Sequence, residues 1–195
     1  MLTPLFGAVR QTAYIVPDIE RAIEDWARQL RLGPFALCRE IQPLAGSCYR
    51  GAPTGDVTLN IAFAYIGDLQ LELIEQVNDT PSMYREAVER RGYGHHHYGF
   101  CVEAFNEAYE RAVAGDFEAV VDAGAEGFAR MSYIESKSIP GLVCEVIEWN
   151  DFTRPYFDGI HSFLAEADDA KRIHELDLAA LVSKGPRVGS GDSGQ

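Results

Sequence analysis

Gly94-His95-His96-His97-Tyr98-Gly99-Phe100-Cys101-Val102 runs from a polar, histidine-rich approach into an apolar strand. This stretch and the residues after it repeat a pattern met near the N-terminus. Shifted by 86 residues, Gln11 falls on His97, Val16 on Val102, Ile19 on Phe105, Ala22 on Ala108, Ile23 on Tyr109 and Ala27 on Val113. A shift of 73 lays Leu69-Gln70-Leu71-Glu72-Leu73-Ile74-Glu75 on Leu142-Val143-Cys144-Glu145-Val146-Ile147-Glu148, and in both copies a Glu interrupts an apolar strand. Self-similarity at fixed spacing marks a duplicated unit. Gln11, Glu72, His97 and Glu145 therefore stand at equivalent places, on the first and last strands of two copies.

The chain of 195 residues, 47% of them hydrophobic, suffices for one ordinary core or two small fused modules. No apolar run approaches the roughly 18 residues of a membrane span, and Met1-Leu2-Thr3-Pro4-Leu5-Phe6 lacks the pattern of a signal peptide. A cytoplasmic protein without membrane attachment is the expectation. Cys38, Cys48, Cys101 and Cys144 are widely spaced with no CxxC pair, as buried free thiols would be. A formal net charge of −13 repels a phosphate backbone, so nucleic acid is not an expected partner.

Residues 8–16 suit a strand, and Pro17-Asp18 changes the period. Asp18 reads as an N-cap for a helix whose apolar stripe is Ile19, Ala22, Ile23, Trp26, Ala27 and Leu30, stopped by Gly33-Pro34. Strands are predicted at 35–41, 56–66 and 69–76, with 42–55 as a long loop. After a short helical stretch at 83–90 the order repeats. A strand at 96–102 and a helix bearing Phe105, Ala108, Tyr109, Ala112 and Val113 precede strands at 118–122, 128–134 and 142–149. A helix from Pro155 and an amphipathic stretch over 171–184 should pack on the sheet, a dimer interface or the cavity mouth.

Strand side chains alternate, so Gln11 shares a face with Ala13 and Ile15, and His97 with Gly99 and Cys101. One Gln, one His and two Glu then point into one concavity. Two buried carboxylates repel at considerable cost unless a cation neutralises them. This mostly oxygen-donor set favours a hard or borderline divalent ion with positions left open, and does not suit a closed structural zinc site. The contrasting view, that Glu72 and Glu145 are edge charges facing water, fits poorly with Leu and Val on both sides of each. His95 and His96 are expected to be structural or loop residues, with His96 facing away from the metal.

With these residues in place, the chain resembles the vicinal oxygen chelate superfamily over Gly7 to Asn150. Methylmalonyl-CoA epimerases are similar in the spacing of Gly67-Asp68 through Glu75, Asp79-Thr80-Pro81, His96-His97 and Lys137 through Glu145. Some glyoxalase I enzymes carry a Gln, Glu, His, Glu set corresponding to Gln11, Glu72, His97 and Glu145. The resemblance implies an α+β fold: two fused βαβββ modules (7–77 and 94–150, joined by 78–93) in a cup-shaped mixed sheet. A helical extension (151–184) and a disordered tail (185–195) would complete the chain. It also implies one divalent metal ion (Co, Ni, Zn or Mn) on those four residues, a homodimer, and an isomerase, epimerase or lyase that abstracts a proton next to a carbonyl or acyl thioester. Glu145 corresponds to a ligand that doubles as base; Asp56 lies close to where the epimerases keep a catalytic Glu; Lys137 and Arg50 would meet an anionic or CoA-bearing substrate. Two alternatives stay open. An extradiol-type dioxygenase would bind iron through two His and one Glu, and a drug-sequestering binder would keep the fold without the chemistry.

Overall fold

The computed structural model describes residues 4–44, 46–124, 129–168 and 170–183. The expected tail at 185–195 and the first position of the expected strand at 128–134 lie outside them. The first half contains β1 (Gln11–Ile15), α1 (Ile19–Leu30), β2 (Phe35–Ile41), a two-strand insertion of β3 (Cys48–Tyr49) and β4 (Ala52–Pro53), then β5 (Leu59–Ile66) and β6 (Leu69–Gln76). After α2 (Met83–Arg91), the second half contains β7 (Gly94–Val102), α3 (Phe105–Ala114), β8 (Phe117–Ala123), β9 (Met131–Ser136) and β10 (Val143–Glu148). An extension adds α4 (Thr153–Ala165), β11 (Ile173–Glu175) and α5 (Leu178–Ser183).

These strands form one sheet in the order β11-β2-β5-β6-β1-β7-β10-β9-β8-β3-β4. Within it, β2-β5-β6-β1 mirrors β8-β9-β10-β7, each half pairing its first and last strands in parallel. The halves meet where β1 and β7 run antiparallel. The fold is thus α+β, built from two βαβββ units fused into one curved mixed sheet.

Alternation decides what each strand gives to each face. Gln11, Ala13 and Ile15 are buried along β1, while Tyr14 packs with Trp26 and the apolar stripe of α1. Asp18 starts α1 as expected, its carboxylate accepting from the Arg21 N–H at 2.9 Å. In the second half, Phe105, Ala108 and Ala112 of α3 pack on Ile134, Cys144 and Val146. The opposite, concave face of the first half is covered by α4, whose Ile160 and Leu164 join Ala13, Ile61, Phe63 and Ile74 in one core. The extension therefore lies on the sheet and the cavity, two of the three places foreseen for it.

Two segments differ from the expectation. The region 42–55 is not wholly a loop, because Tyr49-Arg50-Gly51-Ala52 makes a tight hairpin with φ of 47° at Arg50 and 78° at Gly51. Its strand β3 pairs with β8, so this connection leaves the first half and ties to the outer strand of the second. The amphipathic stretch 171–184 begins as a strand, since Ile173–Glu175 meets the open edge of β2; the helix waits until Asp177, whose carboxylate accepts from Ala180 N–H at 3.1 Å. Among the described residues, no helix is long and apolar enough to cross a membrane.

Candidate functional site

The register brings the four sequence-selected residues together. Ala13 of β1 lies between Glu72 on β6 and His97 on β7, and Gly99 of β7 lies between Gln11 on β1 and Glu145 on β10. In each of the cross-strand pairs Gln11↔Gly99 and Ala13↔His97 one partner is small, which leaves room for the polar side chain beside it. All four polar residues are buried: Gln11 is 3% exposed, Glu72 7%, His97 0% and Glu145 4%.

His97 Nε2 sits 3.5 Å from Glu72 Oε2 and 3.4 Å from Glu145 Oε2. These contacts are too long for good hydrogen bonds, and His97 Nε2, Glu72 Oε2 and Gln11 Oε1 are all buried without a hydrogen-bond partner. Burial alone would lower the His97 pKa, but Glu145 and Glu72 outweigh it and carry it up to about 9. Burial raises the Glu72 pKa, with His97 opposing. Without a further cation, one imidazolium thus holds two carboxylates.

Each side chain is aimed by a specific neighbour. Gln11 Nε2 donates to Gln70 Oε1 at 2.8 Å, Gln70 Nε2 donates to the Tyr65 hydroxyl at 2.8 Å, and that hydroxyl donates to the Phe157 carbonyl at 3.3 Å. This relay spends the amide nitrogen and leaves Gln11 Oε1 as an acceptor. His97 is aimed from behind by His96, whose Nδ1 lies 2.9 Å from His97 Nδ1. His96 itself lies outside the cavity and lines a separate small pocket with Met83 and Val143, as a residue facing away should, but it is also the partner of His97. The β1–β7 register jumps from Ala13↔His97 to Tyr14↔His95, so His96 occupies a bulge and strict alternation fails there. Burial and neighbouring positive charge hold its pKa well below the ordinary histidine value, while its ring also hydrogen-bonds to the Met83 backbone. A neutral His96 whose ring donates to Met83 accepts from His97 Nδ1–H, so that Nε2, which carries the imidazolium's second proton, is the nitrogen turned toward Glu72 and Glu145.

Among the described residues, no three His, Cys, Asp or Glu side chains stand in a ready-made coordination shell; the trio is drawn together through His97. The donor set nevertheless fits a divalent ion. It offers two carboxylates, an imidazole nitrogen and an amide oxygen, three of whose atoms are orphaned. Donors about 2.1 Å from a common ion are about 3.0–3.4 Å apart, close to the separations present.

Gln11, Glu72 and Glu145 form the floor of a cavity of about 570 Å³, with His97 fully buried against the two carboxylates, and that volume is within the range of small-molecule sites. Its walls come from β5, β9 and β10, from the 40–54 connection, and from the aromatic residues Phe152, Tyr156 and Phe157 of the extension. Tyr133 stands beside the floor, its ring 5.1 Å from that of His97, and burial followed by the nearby Glu145 pushes its phenol pKa well up.

Three other sequence-selected residues lie elsewhere. Asp56 is exposed and contributes its backbone carbonyl to Asn78 and Thr80; it does not line the cavity. Lys137 is exposed on the turn between β9 and β10, where its N–H donates to the Asp116 carbonyl at 2.8 Å. Arg50 pairs with carboxylates, with Glu86 at 2.7 Å and Glu135 at 3.6 Å, anchors the β3–β4 hairpin to α2 and does not line the cavity. Sequence reasoning misses the aromatic wall from the extension and the role of His96. The aromatic spacing Phe152, Tyr156, Phe157 is the available signal for the former.

The fold and site define the class. The chain belongs to the glyoxalase/bleomycin resistance protein/dioxygenase superfamily, whose family model matches residues 10–134. Gln11, Glu72 and His97 fall inside that match, and Glu145 and the extension beyond it. Among solved structures, it is similar to a hypothetical protein from Bacillus halodurans (20% identity, TM-score 0.54, 73% of this chain and 94% of that one). It is similar also to methylmalonyl-CoA epimerase from Mycobacterium tuberculosis (17% identity, TM-score 0.54, 77% and 93%). A Streptomyces coelicolor methylmalonyl-CoA epimerase variant in complex with 2-nitronate-propionyl-CoA matches at 13% identity and a TM-score of 0.51, over 73% and 94%. At these identities the likeness speaks for the fold. No curated protein gave a significant match.

Proposed function

We propose that the protein is a divalent-metal-dependent enzyme of the isomerase, epimerase or lyase type, which moves a proton on the carbon next to a carbonyl or thioester. The observation that carries this reading is the convergence of Gln11 Oε1, Glu72 Oε2 and His97 Nε2, buried and unpartnered, with Glu145 at the floor of a ligand-sized cavity. Members of the family typically bind a divalent metal. Gln11, Glu72, His97 and Glu145 would hold it, and cobalt, nickel, zinc and manganese all suit such a mixed N/O set.

Bound there, the ion would supply Lewis-acid stabilisation of negative charge developing on a carbonyl oxygen. Glu145 is the carboxylate proposed to accept and return the proton. Its neighbour Tyr133 confines it from one side, and the apolar walls exclude water that would otherwise compete for that proton. Gln70, Tyr65 and His96 hold the ligands in the orientation the reaction requires. A cytoplasmic homodimer fits the resemblance, and neither property enters the mechanism. Asp56 takes no part in this proposal, since its carboxylate is outside the cavity.

Elemental analysis of untagged protein, paired with Glu145→Gln and His97→Ala, tests the reading. Near-stoichiometric divalent metal lost from both variants is the expected result, with α-proton exchange in D2O abolished by Glu145→Gln. Protein that stays metal-free after reconstitution with each of the four ions would overturn it. Iron as the bound metal would move the assignment to oxygenase chemistry.

A further inference from the structure

We infer that the substrate is an uncharged, ring-bearing, largely apolar carbonyl compound and not an acyl-CoA carrying a carboxylate; this rests on the metal-centre reading above and narrows it. The charge and shape of the cavity carry the inference. No Lys or Arg side chain lines it among the described residues, and its only ionisable lining groups besides tyrosines are Glu40, Glu72 and Glu145. The intervening positions 45, 125–128 and 169 contain no Lys or Arg either. A divalent ion would balance Glu72 and Glu145 and leave, among the described lining residues, no positive charge for a third carboxylate. Burying such a group without a counter-ion is costly.

The nearby arginines are already committed. Arg50 faces Glu86, Glu118 and Glu135, Arg154 pairs with Glu103 at 2.9 Å, and Arg130 with Glu148 at 3.3 Å. The mouth therefore offers little to a nucleotide phosphate group, and the net charge of −13 repels it further.

What the walls do offer is aromatic and aliphatic contact. Phe152, Tyr156 and Phe157 line one side, with Tyr156 and Phe157 set edge to face at 5.4 Å, and Ile61, Met131 and Ile147 are among the residues that complete the chamber. These surfaces suit flat rings. Among the described residues, one further polar demand remains. The Thr54 hydroxyl lines the cavity, buried and without a partner, and would bond one neutral oxygen on the ligand.

The test measures binding by tryptophan fluorescence and calorimetry on full-length protein, metal-free and loaded with Mn²⁺. The probes are 1-hydroxy-2-acetonaphthone, a neutral two-ring hydroxyketone, and malonyl-CoA. The naphthol ketone should bind at least tenfold more tightly than malonyl-CoA in both forms, and Phe152→Ala, at a half-exposed position that carries little of the core, should weaken it severalfold. Malonyl-CoA binding equal or tighter, or naphthol ketone binding unaffected by Phe152→Ala, would overturn the inference. Metal content of the same samples separates the two claims. Stoichiometric metal with malonyl-CoA preferred removes only the substrate class; absent metal with the naphthol ketone still preferred removes only the metal centre.

Discussion

Gly99 lies directly across the β1–β7 seam from Gln11, and a β-carbon at Gly99 would stand 2.8 Å from both Cβ and Oε1 of Gln11. The glycine is what allows an amide side chain to lie across the neighbouring strand and present its oxygen to the floor of the cavity. A Gly99→Ala substitution cannot be accommodated without moving Gln11, because the obstructing atoms include its Cβ. The expected outcome is a loss of about 1–3 kcal/mol in stability, typical of overpacking, together with at least tenfold weaker divalent-metal binding. Denaturant titration and metal titration of the variant check the two effects separately.

His96 should act on metal binding without touching the ion. Its Nδ1 contact of 2.9 Å with His97 Nδ1 fixes which nitrogen of His97 faces Glu72 and Glu145. His96→Leu removes that acceptor, and a lost partner behind a metal-bound histidine costs on the order of 10–100-fold in affinity. His96→Asn places an amide oxygen near the vacated Nδ1 and should recover part of the loss. Equal affinity in wild type and His96→Leu, measured by competition with a metal indicator, would remove the positioning role.

The pattern in the sequence carries most of the architecture because it is written twice. The 86-residue and 73-residue shifts relate residue pairs that the sheet places symmetrically: Gln11 meets Gly99 as Ala13 meets His97, and Ala13 meets Glu72 as Gly99 meets Glu145. Period-2 alternation then directs all four polar side chains to one face. Alternation does not foresee the His96–His97 contact, since one bulged residue shifts the side chains around it and leaves no compositional mark. Arg50 is illegible for a different reason. Its partners Glu86, Glu118 and Glu135 come together only after the hairpin joins β8, and an arginine in a Gly-rich loop looks the same whether it awaits a substrate or is already paired.

The Arg50 anchor makes a pH prediction. Hydrogen bonds from Arg50 hold the Glu86 pKa down at about 2, with the Tyr49 hydroxyl contributing, against an ordinary value of 4.5. A depressed folded-state pKa adds stability that is complete above the unfolded value and disappears as pH falls through the folded one. Because the pair is partly exposed, the contribution is discounted to about 1–2 kcal/mol. Urea denaturation should therefore find Glu86→Gln less stable by that amount at pH 7, with the gap closing between pH 4.5 and 2. A gap independent of pH would assign the loss to packing.

Glu72→Gln distinguishes a metal ligand from a structural ion-pair partner. In the metal-free protein, His97 shares its charge between Glu72 and Glu145, so the cluster carries one carboxylate more than it can neutralise. Replacing Glu72 by Gln leaves His97 and Glu145 as a balanced pair and relieves a buried like-charge contact, so metal-free stability should stay level or rise. Were Glu72 a needed half of a buried salt bridge, its removal would instead cost about 3–5 kcal/mol. The two roles diverge again on adding metal. Binding to the native state alone raises wild-type Tm in proportion to the logarithm of free metal over Kd, and the variant should lose most of that rise. Differential scanning calorimetry with and without Mn²⁺ reads both quantities in one series. A variant that is destabilised without metal yet keeps the full metal-induced shift would strike Glu72 from the ligand set.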